Sequence, residues 1–121
     1  MGLTKADAVF KHRVLWCAMA DYMSKGIVKC TIDGLKEMIL EERFPNYVGV
    51  LDYNCFLCTY ARDCERCPLQ DIKKDNCLED NRLDGYYEQF NFAYYKEGRK
   101  LGDFSGAVKT ALKIAFLPVI N

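Results

Sequence analysis

Apolar residues recur at helical spacing in four stretches of the chain. The first holds Ala8, Val9, Leu15, Trp16, Met19, Ala20 and Met23. Thr4-Lys5-Ala6-Asp7 ahead of it has the form of a capping box, and Gly26 stands where a helix C-terminus wants a glycine. The spacing predicts helix 1 over 5–25. Ile27 to Cys30 reads as a short strand or an extended link. Ile32, Leu35, Met38 and Ile39 then predict helix 2, with Glu37, Glu41 and Glu42 outward and Phe44-Pro45 as its end. A third helix is predicted from Tyr86 to about Gly98. A fourth, capped by Asp103 or Ser105, carries Ala107, Val108, Ala111, Leu112 and Ala115, and Pro118 stops it. The fold class is therefore mainly α: about four helices around one core, in a single domain spanning residues 1–121.

The stretch between helices 2 and 3 breaks this regularity. Residues 46–54 read as a loop, and 55–84 hold no sustained period. An irregular segment this long is unusual in a compact domain unless something ties it down. Five cysteines supply a candidate tie: Cys55, Cys58, Cys64, Cys67 and Cys77, spelling C-x2-C-x5-C-x2-C-P-x9-C. A C-x-x-C turn aims two thiolates at one ion, and two such turns meet the tetrahedral demand of zinc. The ligands are four of these five, and spacing does not choose the set. Zinc is the first expectation. An iron–sulfur cluster also suits soft thiolates, and free or redox-active thiols without metal are the third reading. Four thiolates would make zinc a poor Lewis acid, so the expected ion is a structural one.

Charge sharpens the picture. The chain carries 17 basic and 17 acidic residues, so no global field draws it to nucleic acid or an anionic membrane. The basic groups gather toward the two ends and the acidic ones in the middle. No stretch approaches eighteen apolar residues, and the first helix is broken by Lys5, Asp7, Lys11, His12 and Arg13, which does not read as a secretion signal. A soluble, cytoplasmic protein is expected, where cysteines persist as thiols or metal ligands.

Candidate chemistry outside the cysteine cluster is thin. His12, one turn before Trp16, reads as a packed or surface residue, with ligand or general base as the functional alternative. Cys17 reads as a small core residue. Six aromatics crowd residues 86–95. At helical spacing Tyr87, Phe90, Tyr94 and Tyr95 share a face, yet six rings cannot all point one way. Tyr86, Tyr87, Phe92 and Tyr95 are the candidate anchors for a protein partner. The chain has no phosphate-binding glycine loop, no G-x-S-x-G and no H-E-x-x-H. With no nucleophile–base pair in view, the sequence reads as a binding protein and not an enzyme.

The order of these motifs resembles a loosely defined group of small phage and prophage proteins without an assigned activity. The resemblance rests on His12-Arg13-Val14-Leu15-Trp16, Cys55-Phe56-Leu57-Cys58-Thr59-Tyr60-Ala61, Cys64-Glu65-Arg66-Cys67-Pro68-Leu69, Cys77, Tyr86-Tyr87-Glu88-Gln89-Phe90 and Ile114-Ala115-Phe116-Leu117-Pro118. It covers most of the chain, with little from residues 26–54. It implies a viral or prophage origin and a cysteine-bound metal. The expected function is that of a zinc-stabilised protein that engages or inhibits a host macromolecule, such as a defence component, or binds another phage protein. The alternatives are a nucleic-acid-binding zinc module, which needs the basic ends to converge on one face, and an iron–sulfur or thiol redox protein.

Overall fold

Thr4 opens the first helix as the sequence predicts. Its hydroxyl accepts from the Asp7 N–H at 3.1 Å, satisfying one of the free donors of the first turn. A computed structural model of the chain describes residues 4–26, 28–51, 56 and 86–116; of residues 86 and 87 it describes the backbone alone. Helix α1 is Lys5–Ser24. Gly26 follows it at φ 70°, a conformation that costs a side-chain-bearing residue energy and glycine nothing. Helix α2 is Ile32–Arg43, capped by Thr31, whose hydroxyl accepts from the Gly34 N–H at 3.1 Å. Pro45–Tyr47 form a 3-10 turn directly after it. Residues 28–30, read as a strand or link, carry no regular structure.

Helix α3, Tyr86–Phe92, runs on as a π-helix over Ala93–Arg99. The predicted stop at Gly98 is corrected: the helical backbone continues to Leu101 and turns at Gly102, whose φ is 77°. There Gly102 N–H bonds to Gly98 O at 2.8 Å and Asp103 N–H to Glu97 O at 2.9 Å. Gly98 serves a different purpose. A Cβ at that position would run into the Phe104 ring, so the missing side chain makes room for an aromatic. Helix α4 is Ser105–Ala115. The expected cap by Asp103 or Ser105 is corrected: Phe104 holds the N-cap position, and Asp103 stands one residue ahead of it, its carboxylate accepting from both the N–H (3.0 Å) and the hydroxyl (2.6 Å) of Ser105. Those bonds hold the Asp103 carboxyl below its usual pKa.

The fold is mainly α, with these four helices around one core. α1 packs most extensively on α4, the α3 and π segment covers α4 from another side, and α2 packs on α1. The seven residues of the predicted α1 stripe are all buried. The inner face of α4 is Ala107, Ala111, Ile114 and Ala115, so three small residues let α1 approach closely. Two sequence readings are corrected here. Leu112 was expected inward and is 40% exposed, with Ile114 buried in its place; Met38 is likewise exposed, while Lys36 and Leu40 turn inward. Both shifts follow from the neighbours. The inner stripes are set by what fits against α1, and the aliphatic stem of a lysine fits as well as a methionine. Full burial of a Leu or Ile contributes roughly 1.5–3 kcal/mol, so the closed faces of α1 and α2 carry most of the core's stability.

Candidate functional site

Two regions concentrate unusual chemistry: a buried polar cluster at the centre of the bundle, and a groove along the aromatic helix.

The cluster is built by three helices. α1 brings His12 and Trp16 to the same side, one turn apart, and both are buried. α4 brings the Ile114 carbonyl to His12 Nε2 at 3.0 Å. A carbonyl accepts only, so Nε2 carries the proton and donates it, leaving Nδ1 as the bare nitrogen. α2 brings Lys36, 2% exposed, with its ammonium 5.2 Å from the centre of the Trp16 ring. Trp16 in turn meets the Phe90 ring edge to face at 4.9 Å. Burial drives the His12 pKa down to about 4; its bond to the carbonyl opposes that, and the charges of Lys36 and Arg13 reinforce it. His12 is therefore a neutral packed residue at pH 7, with one nitrogen committed to the helix partner. Lys36 is the member that sequence reasoning missed. The available signal was its position between Ile32, Leu35, Ile39 and Leu40, inside the apolar stripe.

This cluster makes a pH expectation. A histidine whose pKa is about 4 folded and 6.5 unfolded binds its proton more readily in the unfolded chain. Between those values stability rises with pH, so the contribution is complete above pH 6.5 and lost as pH falls toward 4. The size is roughly 3 kcal/mol. His12→Gln, which keeps an N–H donor without the titration, is expected to flatten the pH dependence of urea unfolding over this window. A wild-type curve that is flat between pH 4.5 and 6.5, on the order of the histidine range, would refute the assignment.

The second region follows from the π-helix. An α-helix turns 100° per residue, and the wider π-helix turns less, so consecutive side chains stay closer in direction. Tyr94 and Tyr95 use this. Their rings meet edge to face at 5.1 Å, and both hydroxyls reach the start of α2. Tyr94 donates to Cys30 O at 2.7 Å, and Tyr95 accepts from the Ile32 N–H at 3.0 Å. Burial, followed by the neighbouring Cys30, pushes the Tyr94 phenol well up, so it stays protonated. Tyr95 is half-buried, and Arg99 stacks 5.7 Å from its ring centre. Phe92 is 61% exposed. It borders a groove of about 560 Å³ between the α3 and π segment and α4, where Glu88, Glu97, Lys96, Lys109 and Lys113 mix both signs of charge.

Of the four candidate anchors, Phe92 is thus exposed and Tyr95 is half-buried with its hydroxyl bonded to α2. The side chains of Tyr86 and Tyr87 lie outside the described residues. So do all five cysteines of the cluster. Phe56, which stands between Cys55 and Cys58, is described. It is fully buried, edge to face with Phe44 at 5.3 Å and Tyr47 at 5.2 Å. Phe56 is thereby packed against the residues that follow α2. Among the described residues, no group of three or more His, Cys, Asp or Glu could hold a metal ion. Cys17 and Cys30 are both half-buried thiols, and burial raises the Cys17 pKa.

Lys11 lies 5.8 Å over the Tyr47 ring beside α2, whereas Lys109 and Lys113 line the α3–α4 groove with Glu88 and Glu97. No described helix is long and apolar enough to cross a membrane. Comparison with protein families, with curated proteins and with solved structures finds no match to this chain.

Proposed function

We propose that this chain is a small phage-type protein that binds a host macromolecule, a protein in the first instance, and that a cysteine-bound zinc stabilises it. The observation that carries the reading is Phe92, a large aromatic left 61% exposed on the rim of a groove whose charges are of both signs. A mixed-charge rim around an aromatic anchor suits a protein surface. A nucleic-acid groove would instead be basic throughout. Inhibition of a host defence component is the narrower form of the same proposal.

Zinc is supported by the chemistry of the donors: five soft thiols within twenty-three residues. Bound there it would act as scaffolding, with the chain's own aromatic and charged side chains making the contacts.

The test is a pull-down from extract of the natural host with wild type, Phe92→Ala and Lys109→Glu. Wild type is expected to retain a defined protein. Phe92→Ala should weaken that binding by at least about tenfold, as truncation of an aromatic anchor does. Capture of one protein equally by wild type and both variants would move the interface elsewhere. Capture of nucleic acid alone, released by salt, would favour the alternative.

A further inference from the structure

A surface helix ordinarily carries one apolar stripe. α1 carries two. The inward one is Ala8, Leu15, Trp16, Met19 and Met23. The second runs along the outer side, with Phe10, Val14 and Cys17 at i, i+4 and i+7, Cys17 at its inner edge also packing against the core. Phe10 is 62% exposed there, and Val14 and Cys17 are half-buried. These residues line a shallow groove of about 430 Å³ that also holds Arg13, Asp21 and Arg43. The groove is separate from the one beside Phe92, on which the proposed function rests.

The charges along this face have a definite order. Arg13 stands four residues before Cys17 and Asp21 four residues after it, about 6 Å away in each direction along the helix axis. Two such helices laid parallel would set Arg13 against Arg13. Laid antiparallel with Cys17 at the crossing, they set each Arg13 level with the other's Asp21. Among the described residues the buried Arg13 Nε has no hydrogen-bond partner, so a small outward shift of that guanidinium toward a carboxylate on this face would satisfy a donor its own chain leaves unpaired. Asp21 is held within its own chain by an exposed ion pair to Lys25 at 3.0 Å, which is easily exchanged.

We propose that this face is the contact between two copies of the chain, paired antiparallel about a two-fold axis at Cys17, with Arg13 of each facing Asp21 of the other. The arrangement is isologous and closed, so it stops at a dimer. Phe10 packs over the far end of the opposite helix, and Cys17, a small thiol, allows close approach at the crossing. A contact built mainly from one helix of each chain is small, which places the dimer in the micromolar range or weaker.

Sedimentation equilibrium under reducing conditions tests this, with wild type, Arg13→Glu, Asp21→Arg, the double reversal, and Phe10→Ala. Circular dichroism checks the fold of each. Wild type is expected to approach twice the 14.0 kDa of one chain as concentration rises. Each single reversal should raise the dimer dissociation constant at least about tenfold, and the double reversal should restore it, because the pair re-forms with its signs exchanged. Phe10→Ala, at an exposed position, should weaken the dimer with the fold intact. A mass of 14.0 kDa at every concentration overturns the proposal. So does a double reversal no tighter than the singles, or a monomeric chain whose outer α1 face is covered only by a different protein.

Discussion

Trp16→Ala should cost the fold roughly 3–5 kcal/mol, the range for truncating a fully buried large aromatic. The reason lies in what meets at that ring. α1 supplies it, α3 lays Phe90 edge-on against it at 4.9 Å, and α2 brings the Lys36 ammonium to 5.2 Å. Truncation therefore opens a cavity among three helices and removes the aromatic face beneath the Lys36 ammonium. An ammonium over an aromatic gains up to about 2 kcal/mol when water is excluded. Urea unfolding followed by far-UV circular dichroism reads the loss. Fluorescence cannot, because Trp16 is the chain's single tryptophan. Trp16→Phe should recover much of the packing and little of the cation contact. Crossing Trp16→Phe with Lys36→Met isolates that contact as a coupling energy. A Trp16→Ala variant within about 1 kcal/mol of wild type would mean that the ring is not the junction described, since such losses belong to surface positions.

The same junction shows what the sequence made legible. The α1 stripe was readable because all of its buried residues but His12 are apolar and the 3.6-residue period runs for about four turns between a capping threonine and a closing glycine. The stripe of α2 was harder. Lys36 is a charged letter whose four methylenes behave as core, so the pattern pointed to Met38 in its stead. α4 failed by one position for a related reason: Leu112 and Ile114 are equally apolar, and only the close approach of α1, with His12 bonded to the Ile114 carbonyl, picks the second. Gly98 looked like a stop, because glycine marks helix ends. Its cause is tertiary, the space taken by Phe104, and no local pattern records that. The π-helix is invisible for a similar reason, since one extra residue per turn changes no composition. Yet it places Tyr94 and Tyr95 side by side on α2 and leaves Phe92 outside. That six aromatics cannot share one face was readable, and it correctly required some ring to stay exposed.

The candidate site divides along the same line. Spacing alone gives the cysteine cluster a chemistry; of that stretch, Phe56 is the residue described, packed against Phe44 and Tyr47. His12 could be read only as a histidine beside a tryptophan. Its neutral state, its bonded nitrogen and its low pKa come from burial that a sequence does not display.

Removal of the proposed metal carries the other large expectation. Structural zinc sites bind with an apparent free energy on the order of 10 kcal/mol, and that binding is folding free energy. A domain of this size has roughly 5–15 kcal/mol in total. Chelation is therefore expected to abolish the cooperative melt of the native chain, or to lower its midpoint by tens of degrees, with recovery when zinc is returned. Elemental analysis should find about one zinc per chain, as a closed four-thiolate site requires. Visible absorbance with iron and sulfide would point to the cluster alternative. Five thiols for four positions make the prediction sharper. Among Cys55→Ser, Cys58→Ser, Cys64→Ser, Cys67→Ser and Cys77→Ser, four variants should lose metal and stability together, and one should keep both. Cys55 and Cys58 are expected among the four, because Phe56 between them is buried against the end of α2 and couples loss of the ion to the core. Five silent variants, or a metal-free native chain that melts like the untreated one, would remove the ion from the account. The helical bundle and the Trp16 junction would stand without it, so the two experiments separate the core's own stability from the part contributed by the ion.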